Sequence, residues 1–117
     1  MKDDTTQAKT QNLIQELRRG VIVLAVMSQL HEEQYGYSLM KRLEEQGMQI
    51  DQGTLYPLLR RLEDQSILDS IWRVETSRPR RYYKLNSYGE KILDEMINEW
   101  SRIKNTVDEL LEKENAK

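Results

Sequence analysis

The sequence contains no cysteine and only one histidine, His31, among its 117 residues. Without thiols the chain can form neither a disulfide framework nor a thiolate metal site, and nothing points to an oxidising compartment. His31 lies in a polar segment with no metal ligand or nucleophile at a useful spacing, and a phosphate-cradling glycine loop is also missing. These absences argue against an enzyme, and the sequence predicts neither a metal ion nor a cofactor.

Long apolar runs are missing as well. No stretch reaches the roughly 18 consecutive apolar residues of a membrane span, and the segment from Met1 to Thr10 is too polar for a signal peptide. We therefore expect a cytoplasmic protein without contact to a membrane, and a chain of this length fits one ordinary domain. Residues 1–10 are expected to form a mobile tail without regular structure.

The net charge is small, but the charged residues are unevenly distributed along the chain. The net charge is -2, although binding to nucleic acid normally draws on a basic surface. Between Arg73 and Lys84 there are five basic residues and one acidic residue, whereas from Leu85 onwards five basic residues meet eight acidic ones. This separation is typical of a molecule that presents a basic end to DNA and keeps an acidic end away from it.

Apolar residues recur at helical spacing in three segments of the first half. From Leu13 to about Leu30 the length of the periodic pattern favours a helix, although its centre at 21–23 also suits a buried strand. A short second helix is predicted between a cap at Gly36 or Ser38 and a stop at Gly47. The third helix has one apolar face, and Pro57 places its start close to Gly53. Its inward residues are Leu55, Leu58, Leu59 and Leu62.

The second half predicts a β-hairpin and a long helix. Strand-forming residues occupy 67–74 and 81–85, with an interruption at 75–79, and one of the two tyrosines Tyr82 and Tyr83 is expected in the core. Ser87 and Glu90 match a capping box that starts the last helix. A heptad seam along this helix predicts a dimer. Its members are Leu93, Met96, Trp100, Ile103, Val107 and Leu110.

This order of elements predicts an α+β fold, mainly α with a small β-hairpin: a winged helix-turn-helix. The expected organisation is a DNA-binding domain at 11–86 followed by a dimerisation helix at 87–117. On the third helix, Gly53, Pro57 and Arg60 face outward. Glycine and proline keep this turn slim beside a phosphate backbone, and arginine suits guanine. An alternative is that Arg60 and Arg61 form a solvated face with the neighbouring acids.

The predicted hairpin tip is basic. Arg78, Arg80 and Arg81 flank Pro79, and their guanidinium groups are predicted to reach phosphates or a minor groove. The alternative is that they only prevent an exposed edge strand from pairing with other chains. Trp100 has two interpretations, as a plain aromatic of the dimer core or, together with Met96, as the wall of a flat pocket for a planar aromatic effector.

Three segments together resemble the PadR family of bacterial transcriptional regulators. They are Tyr35 to Leu39, the block Gly-Thr-Leu-Tyr-Pro with the Leu-x-x-Leu-Glu that follows it, and Arg80 to Leu85. The resemblance runs from about Leu17 to the end and corresponds to the short branch of the family, with one long helix after the wing. The segment 31–34 is longer than in the common pattern.

The resemblance implies a homodimer held by the last helix against the first, and repression of an operator that a small molecule or a stress signal relieves. The dimer surface then also includes Leu13, Leu17 and Val21 of the first helix. Trp100 corresponds to the aromatic residue of an effector pocket in some relatives. The DNA contacts that follow from the residues and from the resemblance together are Tyr37, Gly53, Thr54, Tyr56, Pro57, Arg60, Arg78, Arg80 and Arg81.

Overall fold

Four helices and three strands follow one another in the computed structural model, which describes residues 2–75 and 77–115, with side chains at 5–75 and 77–112. The elements are α1 Lys2–Ser28, β1 Gln34–Tyr35, α2 Gly36–Glu45, α3 Gln52–Asp64, β2 Leu68–Glu75, β3 Arg78–Leu85 and α4 Ser87–Asn115. The order and the antiparallel hairpin confirm the predicted α+β winged-helix fold. Within the described ranges, no helix is long and apolar enough to cross a bilayer.

The sheet has three antiparallel strands in the order β1-β3-β2. Leu68 pairs with Leu85 at one end of the hairpin, and Glu75 pairs with Arg78 at the other. The strands are longer than predicted, so that Arg78 and Arg80 lie within β3 instead of in a loop. β1 was not predicted, because a two-residue strand carries no readable alternation, and it pairs Gln34 and Tyr35 with Tyr83 and Tyr82.

The core is built around the leucines of α3. Leu55, Leu58, Leu59 and Leu62 are all buried, as their spacing predicts. They pack with buried residues of α1, α2 and the sheet. Tyr83 is buried at 7% exposure, which confirms that one tyrosine of the pair belongs to the core. Burying a leucine stabilises a fold by about 1.5–3 kcal/mol, so this face dominates the packing of α3.

The N-terminus differs from its prediction. Residues 1–10 were expected to form a tail without regular structure, but α1 is helical from Lys2, while residue 1 lies outside the described part. The side chains at 5–20 are exposed, so apolar periodicity gives no signal over the first ten residues. The helix continues there because its backbone hydrogen bonds propagate from the packed half of α1, around Val26 and Met27.

The residue that caps the start of α4 also differs from the prediction. The predicted capping box does not form, because Asn86 is the capping residue: its Oδ1 accepts a hydrogen bond of 2.8 Å from the backbone N–H of Gly89. The Glu90 carboxylate instead lies 2.8 Å from Nδ1 of His31. Gly89 is buried, and a Cβ built on it would overlap the carbonyl oxygen of Ile67. Glycine therefore lets α4 begin against the connection between α3 and β2.

We expect Gly89→Ala to lower the free energy of unfolding by about 1–3 kcal/mol, because the added methyl group must displace the Ile67 backbone. Urea denaturation followed by circular dichroism measures the change. Gly20→Ala is the matched control, since no atom lies within 4 Å of a Cβ there and the exposed helix should gain up to about 1 kcal/mol. Equal midpoints for the two variants would contradict the proposed packing at Gly89.

Candidate nucleic-acid interface

The first turn of α3 is held by a side-chain cap. Asp51 precedes the helix with extended backbone angles, and its Oδ1 accepts a hydrogen bond of 2.9 Å from the backbone N–H of Thr54. This hydrogen bond lowers the pKa of Asp51 below its usual value of 3.8. The cap satisfies one of the free N–H groups at the start of the helix and fixes the turn that contains Gly53.

The leucine face leaves one stripe of α3 open to solvent. Gly53, Thr54, Pro57 and Arg60 are all exposed, as predicted. Pro57 lies inside the helix, five residues after its start at Gln52, and a Cβ built on Gly53 would meet no atom within 4 Å, so the surface beside this turn is open. The structure thus brings the predicted glycine, threonine, proline and arginine together on one surface.

Tyr56 is half-buried and leans toward the start of α2. A Cβ on Gly36 would overlap its ring, so glycine at this position lets the ring pack against the backbone between β1 and α2. Tyr37 is 53% exposed on the same side, where the Lys41 ammonium lies 5.9 Å from the centre of its ring. Tyr56 therefore lies beside the exposed stripe of α3, and Tyr37 follows directly on the glycine against which Tyr56 packs.

The wing, which is the hairpin formed by β2 and β3, carries three arginines with different surroundings. Arg78 is exposed at the start of β3. Arg80 lies across from Arg73 in the hairpin, with its guanidinium 4.5 Å from the centre of the Tyr35 ring and 3.8 Å from the Glu75 carboxylate. Arg81 points toward α3, and its Nη2 donates a hydrogen bond of 2.7 Å to the Glu63 carboxylate.

Arg81 belongs to a closed set of contacts that the sequence did not reveal. Its Nε also donates to Oγ of Ser70 at 3.1 Å, and the Ser70 hydroxyl donates to the other oxygen of Glu63. The rings of Trp72 and Tyr83 lie 5.7 and 5.6 Å from the guanidinium. Burial raises the pKa of the Tyr83 hydroxyl, while the neighbouring Arg81 charge acts in the opposite direction.

These contacts correct two expectations about charge pairing. Glu63 was an alternative partner for Arg60 or Arg61 on the same helix, but its carboxylate binds Arg81 across to β3. Arg81 was expected to be a free guanidinium at the tip, yet its polar edge is already bonded within the domain. The register of the hairpin, which places Arg81 opposite Trp72, is the signal that would have shown this.

An open cleft of about 420 Å³ separates the exposed stripe of α3 from the wing. Its walls include Tyr56 and Arg60 of α3, Trp72 of β2, and Arg80 of β3. Sequence reasoning missed Trp72, because the hairpin alternation alone did not indicate which face it occupies. Groups of three or more metal-ligating side chains are not found in the described part of the chain.

The heptad seam of α4 divides between two environments. Leu93 was predicted at the dimer surface but is completely buried in the core of the single chain, and Met96 is half-buried against the same core. A heptad pattern indicates that one face of a helix is covered, but not whether the same chain or a second chain covers it. Here the first two turns of α4 pack on their own domain. From Trp100 onwards the seam is open, with exposures of 39% for Trp100, 48% for Ile103 and 43% for Val107.

Comparison with known proteins gives a consistent result. The family model described as Transcriptional regulator PadR-like family matches residues 23–95. The crystal structure of a PadR family transcriptional regulator from Eggerthella lenta is 41% identical, with a TM-score of 0.84 over 92% of this chain and 96% of that one. A PadR-like regulator from Bacillus cereus is 27% identical, with a TM-score of 0.73 over 82% and 96% of the two chains.

A curated relative agrees with these structures. A transcriptional regulator of Mycobacterium tuberculosis is 34% identical over 83 residues, which cover 70% of this chain and 78% of that protein. Together, the family match and the structural neighbours confirm the predicted class, a transcriptional regulator and not an enzyme.

The Asp51 cap gives a test that depends on pH. Because the carboxyl pKa is lowered in the folded state, the cap stabilises the protein above pH 3.8, and this stabilisation is lost as the pH falls through the lowered pKa. We expect Asp51→Ala to lower the thermal midpoint at pH 7, and this effect to shrink as the pH is lowered below 3.8. Asp51→Asn, which keeps a capping oxygen without the charge, is the control; a pH-independent loss in Asp51→Ala would exclude an ionic cap.

Proposed function

Because the chain belongs to the PadR-like family of transcriptional regulators, we propose that it is a homodimeric repressor that binds double-stranded operator DNA and is relieved by a small molecule. The observation that supports DNA binding best is the exposed stripe of α3, where Gly53, Thr54, Pro57 and Arg60 lie together beside the arginines of the wing. Repression and its relief rest on the family resemblance.

The proposed docking places the N-terminal half of α3 in the major groove. The slim turn at Gly53 and Pro57 allows a close approach to the backbone, and the hydroxyl groups of Thr54, Tyr56 and Tyr37 are donors for phosphate oxygens. Arg60 is exposed on the same face, two turns into the helix, and its guanidinium matches the two acceptors that guanine presents in the groove. We assign sequence readout to Arg60 and positioning on the backbone to the residues around it.

The wing supplies the second set of proposed contacts. Arg78 is exposed, whereas Arg80 is half-buried beside the Tyr35 ring, with the Glu75 carboxylate 3.8 Å away and so beyond hydrogen-bond distance. We assign both arginines to the phosphate backbone. Arg81 was part of the predicted contact set, but its bonds to Glu63 and Ser70 already hold one edge of its guanidinium within the domain.

Mutations on α3 and on the wing should distinguish readout of the DNA sequence from charge attraction to the phosphate backbone. We expect Arg60→Ala to weaken binding to the operator by about 1–3 kcal/mol while hardly affecting scrambled DNA. Arg80→Gln should weaken binding to both DNAs and reduce the slope of log K against log salt by about 0.9, the contribution of one phosphate contact. Fluorescence anisotropy with DNA from the upstream region, at several salt concentrations, measures both effects.

Arg102→Gln on α4 is the control for this experiment, because it removes the same charge from the helix that should face away from DNA. Unchanged affinity and slope in both the Arg60 and Arg80 variants would refute the proposed contacts. Undetectable binding of the unmodified protein to any DNA would favour the alternative function, a winged-helix module that binds other proteins.

The dimer is proposed from apolar surface that a single chain leaves open. Leu13 and Leu17 of α1 are 64% and 75% exposed, and Val21 is partly buried at the end of the same face. The second half of the α4 seam is open as well, with Leu110 at 60% exposure. A heptad seam favours pairing with another helix. Two-fold pairing would set the recognition helices about 34 Å apart, which suits a pseudo-palindromic operator.

The proposed effector site lies on the same surface. Trp100 is 39% exposed where the α4 seam leaves the core, so two copies related by symmetry would face each other near the dimer axis. A planar aromatic molecule stacked between two indole rings fits this arrangement. Met96, half-buried just before Trp100, would supply flexible packing at the edge of such a pocket.

A charge placed on the open seam should dissociate the dimer. We expect Ile103→Glu to sediment as a monomer at concentrations where the unmodified protein is dimeric, because burying two carboxylates at a helix pair is unfavourable. Asn105→Glu adds the same charge on the outer face of α4 and is the matched control, expected to remain dimeric. Analytical ultracentrifugation distinguishes the states; a dimeric Ile103→Glu variant would refute pairing through α4.

A further inference from the structure

We propose that Glu63, Ser70 and Arg81 form a clamp that fixes the angle of the wing relative to α3, so that Arg81 supports DNA binding by positioning the wing and not by contacting a phosphate. This inference rests on the proposed DNA binding. It gives Arg81, whose guanidinium is hydrogen-bonded within the domain, a role distinct from that of its neighbours Arg78 and Arg80.

The clamp joins the three elements that make up the proposed interface. Glu63 lies in the last turn of α3, Ser70 in β2 and Arg81 in β3. Arg81 donates one hydrogen bond to each of the other two residues, at 2.7 and 3.1 Å, and the Ser70 hydroxyl donates to the remaining oxygen of Glu63. Because every member contacts both others, neither strand of the wing can tilt away from α3 without breaking two of these bonds.

The surroundings of Arg81 make it a poor phosphate ligand. Its side chain is 35% exposed and that of Glu63 is 25% exposed, so solvent screens their attraction less than at an open surface. Arg80 is exposed to the same degree, at 36%, but its partner Glu75 is 49% exposed and 3.8 Å away, so hydrogen bonding and not burial distinguishes Arg81 from its neighbour. Two of the five N–H donors of Arg81, on the Nε and Nη2 edge of the guanidinium, are given to Ser70 and Glu63. A phosphate could use this edge for a bidentate contact only if these bonds broke.

Trp72 completes the clamp. It is 62% exposed on the edge strand β2, although exposing so large an apolar ring to water is unfavourable. It lies opposite Arg81 in the hairpin. The guanidinium lies 5.7 Å from the centre of the indole ring and 5.6 Å from that of Tyr83. These rings favour the cation and limit the directions in which Arg81 can turn.

The clamp matters because the proposed phosphate contacts lie further out along the same strand. Arg78 is three residues beyond Arg81, about 10 Å along an extended chain, so a tilt of about 15° would displace it by roughly 2.5 Å. Such a displacement exceeds the tolerance of a hydrogen bond. The angle at the clamp therefore decides whether α3 and the wing can engage one DNA segment together.

Glu63→Gln gives the clearest test, because the two interpretations predict opposite signs. Removing a negative charge and releasing Arg81 should strengthen DNA binding if Arg81 is a phosphate contact. If the clamp positions the wing, the same change should weaken operator binding, by about fivefold, a typical effect of losing one charge-assisted hydrogen bond at a partly exposed site. Asp64→Asn, which removes an exposed carboxylate next in the chain, is the matched control.

Substitutions of Arg81 itself also distinguish a positioning role from a direct phosphate contact. A lysine keeps a charge for a phosphate but cannot bond Ser70 and Glu63 with a fixed fork. We expect Arg81→Lys to bind DNA as weakly as Arg81→Gln, and both to keep the salt slope of the unmodified protein. Restored affinity in Arg81→Lys, together with a slope reduced by about one in Arg81→Gln, would show a phosphate contact and overturn the clamp.

A measurement without DNA keeps the test independent of the proposed function. The chain has two tryptophans, so the indole N–H signals of Trp72 and Trp100 are two NMR peaks that Trp100→Phe assigns. Glu63→Gln should shift the Trp72 peak, and Asp64→Asn should leave it in place. An unmoved Trp72 peak overturns the clamp, whereas absent DNA binding by the unmodified protein with a shifted Trp72 peak overturns the proposed function alone.

Discussion

The burial of one face of α3 is the constraint on which the rest of the structure depends. Leu55 and Leu59 are at most 1% exposed, and Leu58 and Leu62 are nearly as buried. Four buried leucines in thirteen residues fix the rotation of the helix about its own axis, because any other rotation would expose apolar surface at a cost of several kcal/mol. The exposed stripe at Gly53, Pro57 and Arg60 is therefore a consequence of core packing.

The arginines of β3, close to this helix, differ in how their charges are paired. Of the three arginines in β3, Arg78 is exposed, Arg80 lies 3.8 Å from the Glu75 carboxylate, and Arg81 is hydrogen-bonded to Glu63. The basic segment that the sequence shows between 73 and 84 thus contributes less free positive charge than its composition indicates. A protein with a net charge of -2 can still present a basic surface to DNA, but that surface is narrow and depends on where the wing is held.

Sequence periodicity predicted the elements whose apolar face is long and one-sided. The leucines of α3 belong to this class, since their burial follows from spacing alone. In β3 the alternation predicted that one of Tyr82 and Tyr83 is buried, and the structure shows that it is Tyr83. Contacts between elements far apart in the chain were not predictable. The bond from Arg81 to Glu63 and the pairing of β1 with β3 both require the register of the hairpin, which a single sequence does not contain.

The two differences at the helix ends have other physical origins. Residues 2–10 are polar and exposed, so their helix carries no apolar pattern that could have distinguished it from a tail. At α4, Asn86 and Ser87 are both good capping residues, and the choice depends on the contact of Gly89 with Ile67, which fixes where the helix can begin. In both cases packing against the rest of the chain decides between local options of similar energy.

The divided seam of α4 links the core to the proposed dimer. Leu93 is buried in the same core as the leucines of α3, so the direction in which α4 leaves the domain is fixed relative to α3. From Trp100 onwards the same stripe is open, and a partner that covers it would inherit that direction. In the proposed dimer, one continuous helix would therefore relate the packing of each domain to the spacing of the two domains. A ligand that altered the proposed contact near Trp100 would then change the distance between the two proposed DNA-binding surfaces without touching either of them.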